Sequence, residues 1–236
     1  MDTESNGAAK AGGTRAEAIY RALFDAILAQ ELIPGTKLNE ETLGTFFNVS
    51  RTVVRAALTR LHADSLIDLK QNRGAFVSSP SAEEARQVFG ARICIEKEVA
   101  SQLARTATEP QLKRLEQHIR REEAALRKGD TAASIRLSGE FHLLAAQIAG
   151  NAVLARFLSE LVSRTSLVLA IHGRQGVSEC GIDEHRQILT AVRNRDPEKA
   201  AKAMTRHLSD VVGRIELGAG RARAAKLTDI FARYSA

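Results

Sequence analysis

Apolar residues recur along most of this 236-residue chain at the three-and-four spacing of amphipathic helices. Ile19, Leu23, Ile27 and Leu28, followed by Leu32, mark a first helix over roughly 15–31, which Pro34-Gly35 ends. Asn39 is placed to cap a short second helix over 40–47, carrying Leu43 and either Phe46 or Phe47 inward. After a tight turn at Asn48-Val49, Val54, Leu58 and Leu61 share one stripe of a third helix. The Ser50 hydroxyl is a suitable N-cap for it, able to accept from a first-turn N–H. The period then changes. Residues 66–70 and 75–78 are short runs flanking Gln71-Asn72-Arg73-Gly74, which predicts a β-hairpin. Three helices and a hairpin make a winged helix-turn-helix over 14–79.

Beyond Pro80 the pattern is helical throughout. Ser81 and Glu84 have the spacing of a capping box. Helices are predicted over roughly 81–106, 110–128, 131–149, 152–173, 179–194 and 197–217. The breakers between them are Thr108–Pro110, Gly129-Asp130, Gly150-Asn151, Gly173–Gly176 and Asp196-Pro197. The expected fold class is therefore mainly α, an N-terminal winged helix-turn-helix plus a C-terminal all-α helical bundle over 80–217. Residues 1–13 are polar and Gly/Ala-rich, and read as a disordered arm rather than a signal peptide or membrane anchor. Residues 218–236 open Gly-rich and then place Leu227, Ile230 and Phe231 at helical spacing, a docked short helix or a loose tail.

Composition adds little to this picture. The chain is rich in Ala, Leu and Arg and has no Trp, a bias toward helix, and no run of about 18 apolar residues suggests a membrane span. Cys94 and Cys180 lie far apart without a CxxC partner, which fits a reducing, cytoplasmic compartment. The formal charge of +6 hints at nucleic acid, yet residues 1–80 hold nine basic and nine acidic residues. Only between Ser50 and Arg73 do five bases outweigh two acids. Local geometry must carry the argument.

In the third helix Arg51 and Arg55 stand one turn apart, with Ser50 and Thr52 at the helix start. Arginine forks match guanine or phosphate, and first-turn hydroxyls and N–H groups reach the DNA backbone. Taken alone, these are equally the solvated arginines of a surface helix; the winged-helix context favours DNA. At the hairpin tip Arg73 is suited to the minor groove or backbone, and Gly74 permits close approach.

A second constellation lies in the helical part. His185 falls on the face of Ile188, Leu189 and Val192, and His207 on that of Ala203, Met204 and Val211. His142 is flanked by Ser138, Ala145 and Ala146, small residues that leave space beside the ring. Three inward imidazoles need partners, and a divalent metal would serve all three and leave a position for a ligand. The alternative is three independent core histidines, each bonded to a carbonyl. No HExxH motif occurs, and Glu140 and Glu184, near His142 and His185, fall on different helix faces, so hydrolytic chemistry is not expected. Arg92, one turn from Glu96, is either a carboxylate clamp beside such a metal or half of a surface i,i+4 pair.

These residues resemble a known family. The pattern Ile33-Pro34-Gly35-Thr36-Lys37-Leu38-Asn39-Glu40, then Val49-Ser50-Arg51-Thr52-Val53-Val54-Arg55-Ala56-Ala57-Leu58, then Asn72-Arg73-Gly74-Ala75-Phe76-Val77, is similar to a GntR-type winged helix. Glu140-Phe141-His142, Gly150-Asn151, Glu184-His185-Arg186-Gln187-Ile188-Leu189 and His207-Leu208 resemble the all-helical FCD-type effector domain of the FadR-like subfamily. The likeness covers about 15–217. It implies a homodimeric, ligand-responsive transcription regulator, with repression relieved by ligand as the expected sign. DNA contacts on a short palindromic operator would fall on Ser50, Arg51, Thr52, Arg55, Arg73 and Gly74. A divalent metal, zinc or alternatively nickel or manganese, would fall on His142, His185 and His207. A small carboxylate effector would sit by Arg92 and Ser138. The rival classes are a metal-dependent hydrolase and a sequence-neutral, nucleoid-type DNA-binding protein.

The chain departs from that pattern at several positions. Ser138 stands where an Asp or Asn usually precedes the first histidine, one charged ligand fewer. Glu41 replaces a common arginine, Val53 a proline, Ala57 a glutamate, and Asp64-Ser65 a Glu-Gly turn.

Overall fold

The computed structural model describes residues 4–29, 31–172 and 177–215, with side chains placed over 15–29, 31–172 and 181–215. The chain divides into two compact units between Ser79 and Pro80.

The first unit contains α1 (Glu4–Leu28), β1 (Lys37–Leu38), α2 (Glu40–Phe46), α3 (Arg51–Ala63), β2 (Ile67–Lys70) and β3 (Gly74–Val77). The stripe Ile19, Leu23, Ile27, Leu28 and Leu32 is wholly buried, as are Leu43 of α2 and Val54, Leu58 and Leu61 of α3, with α1 packed on α3. Polar contacts also tie α1 to α3. The Tyr20 hydroxyl donates to Asp64 at 2.7 Å, and the Arg60 guanidinium lies 3.8 Å over the Tyr20 ring while pairing with Glu17.

Asn39 caps α2 through its side chain, accepting from Glu41 and Thr42 N–H. Leu43 points fully inward, whereas Phe46 and Phe47 are both only half-buried and meet edge to face at 5.0 Å. The turn into α3 runs through Asn48 at φ 49°. Ser50 does occupy the N-cap of α3, with extended backbone, but its hydroxyl makes no capping bond, contrary to expectation. Ser50 is exposed at the rim of the cleft between α2 and α3, so water can take the place of that bond.

The wing is a hairpin with Lys70 opposite Gly74 and Ile67 opposite Val77. Arg73 N–H closes the turn onto the Lys70 carbonyl at 3.0 Å, with Asn72 at φ 56° and Gly74 at φ 95°. The sheet has a third strand, since Lys37–Leu38 pairs antiparallel with β3 to give the order β1-β3-β2. One difference from expectation concerns the start of the chain. Helical backbone begins at Glu4, inside the stretch expected to be a disordered arm, where Ala8, Ala9 and Ala11 favour helix. The expected tail, 218–236, lies outside the described residues.

The second unit is all helical among the described residues: α4 (Ala82–Thr106), α5 (Glu109–Arg127), α6 (Thr131–Ala149), α7 (Ala152–His172), α8 (Val177–Arg193) and α9 (Pro197–Gly213). Ser81, Asp130 and Asp196 cap α4, α6 and α9 through their side chains, and Pro197 opens α9 where its missing N–H costs nothing. Gly150 ends α6 at φ 84°, a left-handed C-cap. Phe89, Val99 and Leu103 of α4 pack with Leu115, Phe141, Leu158, Ile188, Val192, Met204 and Leu208 in one core. α6 and α7 approach closely at Gly139, where an added Cβ would lie 2.8 Å from a Val162 methyl. No helix among the described residues is long and apolar enough to cross a membrane.

Candidate metal centre and nucleic-acid interface

α6, α8 and α9 each deliver one histidine to a single point in the second unit. His142, His185 and His207 are all buried, each on its helix's core-facing stripe. One ring nitrogen from each lies within 4.8 Å of the other two. Phe141 stacks on His185 with centroids 4.0 Å apart and wedges that ring in place.

Each imidazole is fixed from behind by a carboxylate on another helix or turn. Glu96 Oε2 of α4 lies 2.5 Å from His142 Nδ1. His185 Nδ1 donates to Glu122 of α5 at 2.9 Å, and His207 Nδ1 to Glu184 of α8 at 2.7 Å. For His185 and His207 the carboxylate bonded to Nδ1 assigns the proton there and leaves Nε2 as an acceptor, whereas His142 Nδ1 and Glu96 Oε2 make no hydrogen bond despite their close approach. Yet the Nε2 atoms of His142 and His207 face each other at 3.2 Å, and His185 Nε2 is buried without a partner. Two imidazole nitrogens at that distance share either a proton or a metal cation between them. Two nitrogens on one tetrahedral zinc stand about 3.3 Å apart, from Zn–N bonds of about 2.0–2.1 Å. The donor set fits a divalent metal, with a carboxylate behind every histidine.

Charges outside the triad are balanced by arginines. Arg92 Nε donates to Glu96 Oε1 at 2.6 Å, and Arg214 pairs with Glu184. Burial alone would raise the Glu96 carboxyl; Arg92 and His142 outweigh it and hold the group at about 2. Glu184 is half-buried, which alone would raise it, but its bonds to His207 and Arg214 outweigh this and hold it at about 2. His142 and His207 move to the neutral side. Burial pushes His142 well below its ordinary value and His207 to about 4, against the attraction of their glutamates. Neutral imidazoles are the metal-binding form.

Arg92 is no surface residue: it is 3% exposed, and its Nη2 is buried with no partner after Nε has served Glu96. Ser138 is half-buried one turn before His142, and a further turn back Ser134 has a buried, unpartnered hydroxyl. Glu140 pairs with Arg136 on the outer face and Glu184 turns to His207, so neither stands beside the triad as a hydrolytic base. Sequence reasoning did not assign Glu122 and Glu184 as supports, or His118 as buried. His118 Nε2 lies 2.7 Å from the Leu137 carbonyl and 3.5 Å from Glu122. The available signal was Glu122 falling on the same α5 stripe as Leu115, His118 and Ile119.

In the first unit the expected DNA contacts are all exposed: Ser50, Arg51, Thr52 and Arg55 on α3, Arg73 and Gly74 on the wing. The two arginines are not solitary. Arg55 Nε binds both oxygens of Glu40 at 2.8 and 3.0 Å, and Arg51 lies 3.7 Å from Glu41. Glu40, Glu41 and Arg51 line an open cleft of about 830 Å³ between α2 and α3, together with Arg15, Thr45, Asn48 and Ser50.

A winged helix-turn-helix with an exposed arginine-bearing third helix, carried with a helical domain that gathers buried ligand-competent groups, defines a DNA-binding transcription regulator. The comparisons agree: residues 15–77 match the bacterial regulatory proteins of the gntR family and residues 87–210 match the FCD domain. The chain belongs to the GntR family of regulators, in its FCD-containing branch. It is 30% identical over 194 residues to the HTH-type transcriptional repressor RspR of Escherichia coli K12, covering 82% of this chain and 85% of that one. It is 29% identical to the HTH-type transcriptional repressor NanR of Cronobacter sakazakii, covering 83% of each. In fold it matches a GntR transcriptional regulator from Rhodococcus sp. RHA1 at TM-score 0.74 and 23% identity, over 88% of this chain and all of that one. It also matches E. coli McbR/YncC at TM-score 0.71 and 18% identity, over 84% of this chain and 95% of that one. These relatives are regulators, not enzymes.

Proposed function

We propose that the protein is a homodimeric repressor that reads a short palindromic operator and is released by a small carboxylate effector bound at a divalent metal. The observation that carries the effector half is the convergence of three buried imidazoles, one nitrogen of each within 4.8 Å of the other two and one Nε2 pair 3.2 Å apart, with a glutamate beside every ring. His142, His185 and His207 would hold the ion, with zinc the first choice and nickel or manganese accepted by the same donors. When bound, the metal supplies a positive Lewis-acid centre that attracts and orients an anionic ligand. Arg92 contributes its free Nη2 to a carboxylate oxygen, a charge-assisted bond in a dry site, and Ser138 offers a hydroxyl beside His142.

For the DNA half, Arg51 and Arg55 reach base edges, Ser50 and Thr52 reach phosphate at the start of α3, and Arg73 and Gly74 approach from the wing. Two heads held at a fixed spacing by paired helical domains match the two halves of a palindrome. Effector binding changes DNA affinity only as far as it favours one arrangement of those heads. Repression follows the sign carried by the relatives' names, RspR and NanR.

The test begins with metal content per chain on protein purified without a histidine tag or chelator. About one divalent ion per chain, falling sharply in His185→Ala while the winged helix keeps its DNA binding, is the expected result. No uptake of zinc, nickel or manganese by the wild type overturns the metal reading and leaves the DNA reading in place. Binding that shows no preference for a selected palindrome over random duplex overturns the operator reading.

A further inference from the structure

The reading surface of α3 is electrically self-paired. Both arginines of α3 expected to approach DNA face first-turn glutamates of α2: Arg55 with Glu40 at 2.8 Å, Arg51 with Glu41 at 3.7 Å. Neither pair is buried; Arg51 and Glu41 keep 65% and 76% of their side-chain surface. Exposed pairs of this kind contribute little stability, so this one is not needed to hold the head together. Its consequence is electrostatic. A carboxylate at the mouth of the α2–α3 cleft cancels the charge of Arg51 and repels any phosphate brought to it.

We infer that Glu41 is a specificity-determining residue of the DNA-reading head. It withholds Arg51 from non-specific phosphate contact and surrenders it only where a base edge accepts the guanidinium fork. The inference rests on α3 being the reading helix. Binding to arbitrary DNA is driven by phosphate neutralisation, each contact steepening the salt dependence by about 0.9 in log–log slope. A guanidinium held by its own carboxylate makes no such contribution. Base readout needs geometry rather than net charge, and Arg51 placed beside Glu41 is already positioned on the α3 face. The carboxylate thus lowers non-specific affinity more than specific affinity, widening the ratio that matters on a genome of competing sites.

The experiment compares wild type, Glu41→Gln and Glu83→Gln on two duplexes of equal length, from 50 to 200 mM salt. One duplex is selected in vitro with the wild-type protein and the other is random. Glu83 is a first-turn glutamate of α4 paired with Arg86 in the second unit, so its neutralisation changes net charge equally without touching the cleft. Glu41→Gln should bind random duplex roughly five- to tenfold more tightly near 0.1 M salt. Its salt slope on that duplex should steepen by about 0.9 per bound head, and its specificity ratio should fall. Glu83→Gln should match wild type. An unchanged slope and ratio in Glu41→Gln, or equal changes in Glu83→Gln, overturns the inference. Failure of wild type to select any sequence instead overturns the operator reading on which it stands.

Discussion

Glu122 offers a sharp test of whether the three-histidine cluster is a built metal centre. It is 3% exposed, and its Oε2 accepts from His185 Nδ1 at 2.9 Å. His185 is the triad member with an unpartnered Nε2 and no exposed surface, so its ring has no solvent to reorient it. Glu122→Gln keeps the size and an acceptor oxygen but removes the charge. A hydrogen bond to a charged group contributes about 1.5–3 kcal/mol and a neutral one about 0.5–1.5, a difference of about 1 kcal/mol, or roughly five- to tenfold in metal affinity. Glu122→Ala also leaves the Nδ1–H unbonded and the ring free to turn, and should reach the roughly 10–100-fold loss found for outer carboxylates of metal sites. The assay is competition against a chromophoric chelator, with cobalt(II) absorption reporting coordination geometry. The expected order is wild type, then Gln, then Ala. Equal affinities and unchanged cobalt spectra in all three would refute the support role. A wild type that binds no metal would refute the centre itself, a separate outcome.

Three further outcomes are expected. Arg55→Ala should cost about 1–3 kcal/mol on a selected operator and much less on random duplex, measured by titration at fixed salt; equal losses on both would make Arg55 a phosphate contact. Gly139→Ala should destabilise the second unit by about 1–3 kcal/mol in denaturant melts, because the new methyl meets Val162 at 2.8 Å and Ser166 Oγ at 3.2 Å in a packed helix pair. Metal-free protein should lose stability on acidification. His207 titrates near 6.5 when unfolded and about 4 when folded, so the unfolded chain takes the proton first and stability falls as pH drops from 6.5 to 4. Glu96 and Glu184, at about 2 against 4.5, continue the loss below pH 4.5. Stability that holds flat or rises between pH 6.5 and 4 would contradict the neutral-histidine assignment.

The winged helix was legible because its signals are local. Leu23, Ile27 and Val54 obey helical spacing, and Asn72 and Gly74 take the positive φ their types tolerate. β1 left no such trace: two residues have no period, and Lys37–Leu38 becomes a strand only by pairing with Phe76 and Ala75. The same divide runs through the histidine cluster. His142, His185 and His207 stood out as polar residues on apolar stripes, a property each helix carries alone. Glu96 and Glu122 sit on such stripes too, yet each has a basic or histidine neighbour one turn away, Arg92 and His118, and so reads as half of a surface pair. Only the packing of α4 and α5 against the histidine helices turns those carboxylates toward Nδ1. Glu184 is harder still, since it adjoins His185 in sequence and bonds His207 in space. Membership of the histidine cluster is therefore readable from burial pattern within a helix, whereas its carboxylate support is a property of helix register. A charged residue on a buried stripe should be examined as a possible support for a histidine on a facing helix before its i,i+4 neighbour is allowed to explain it.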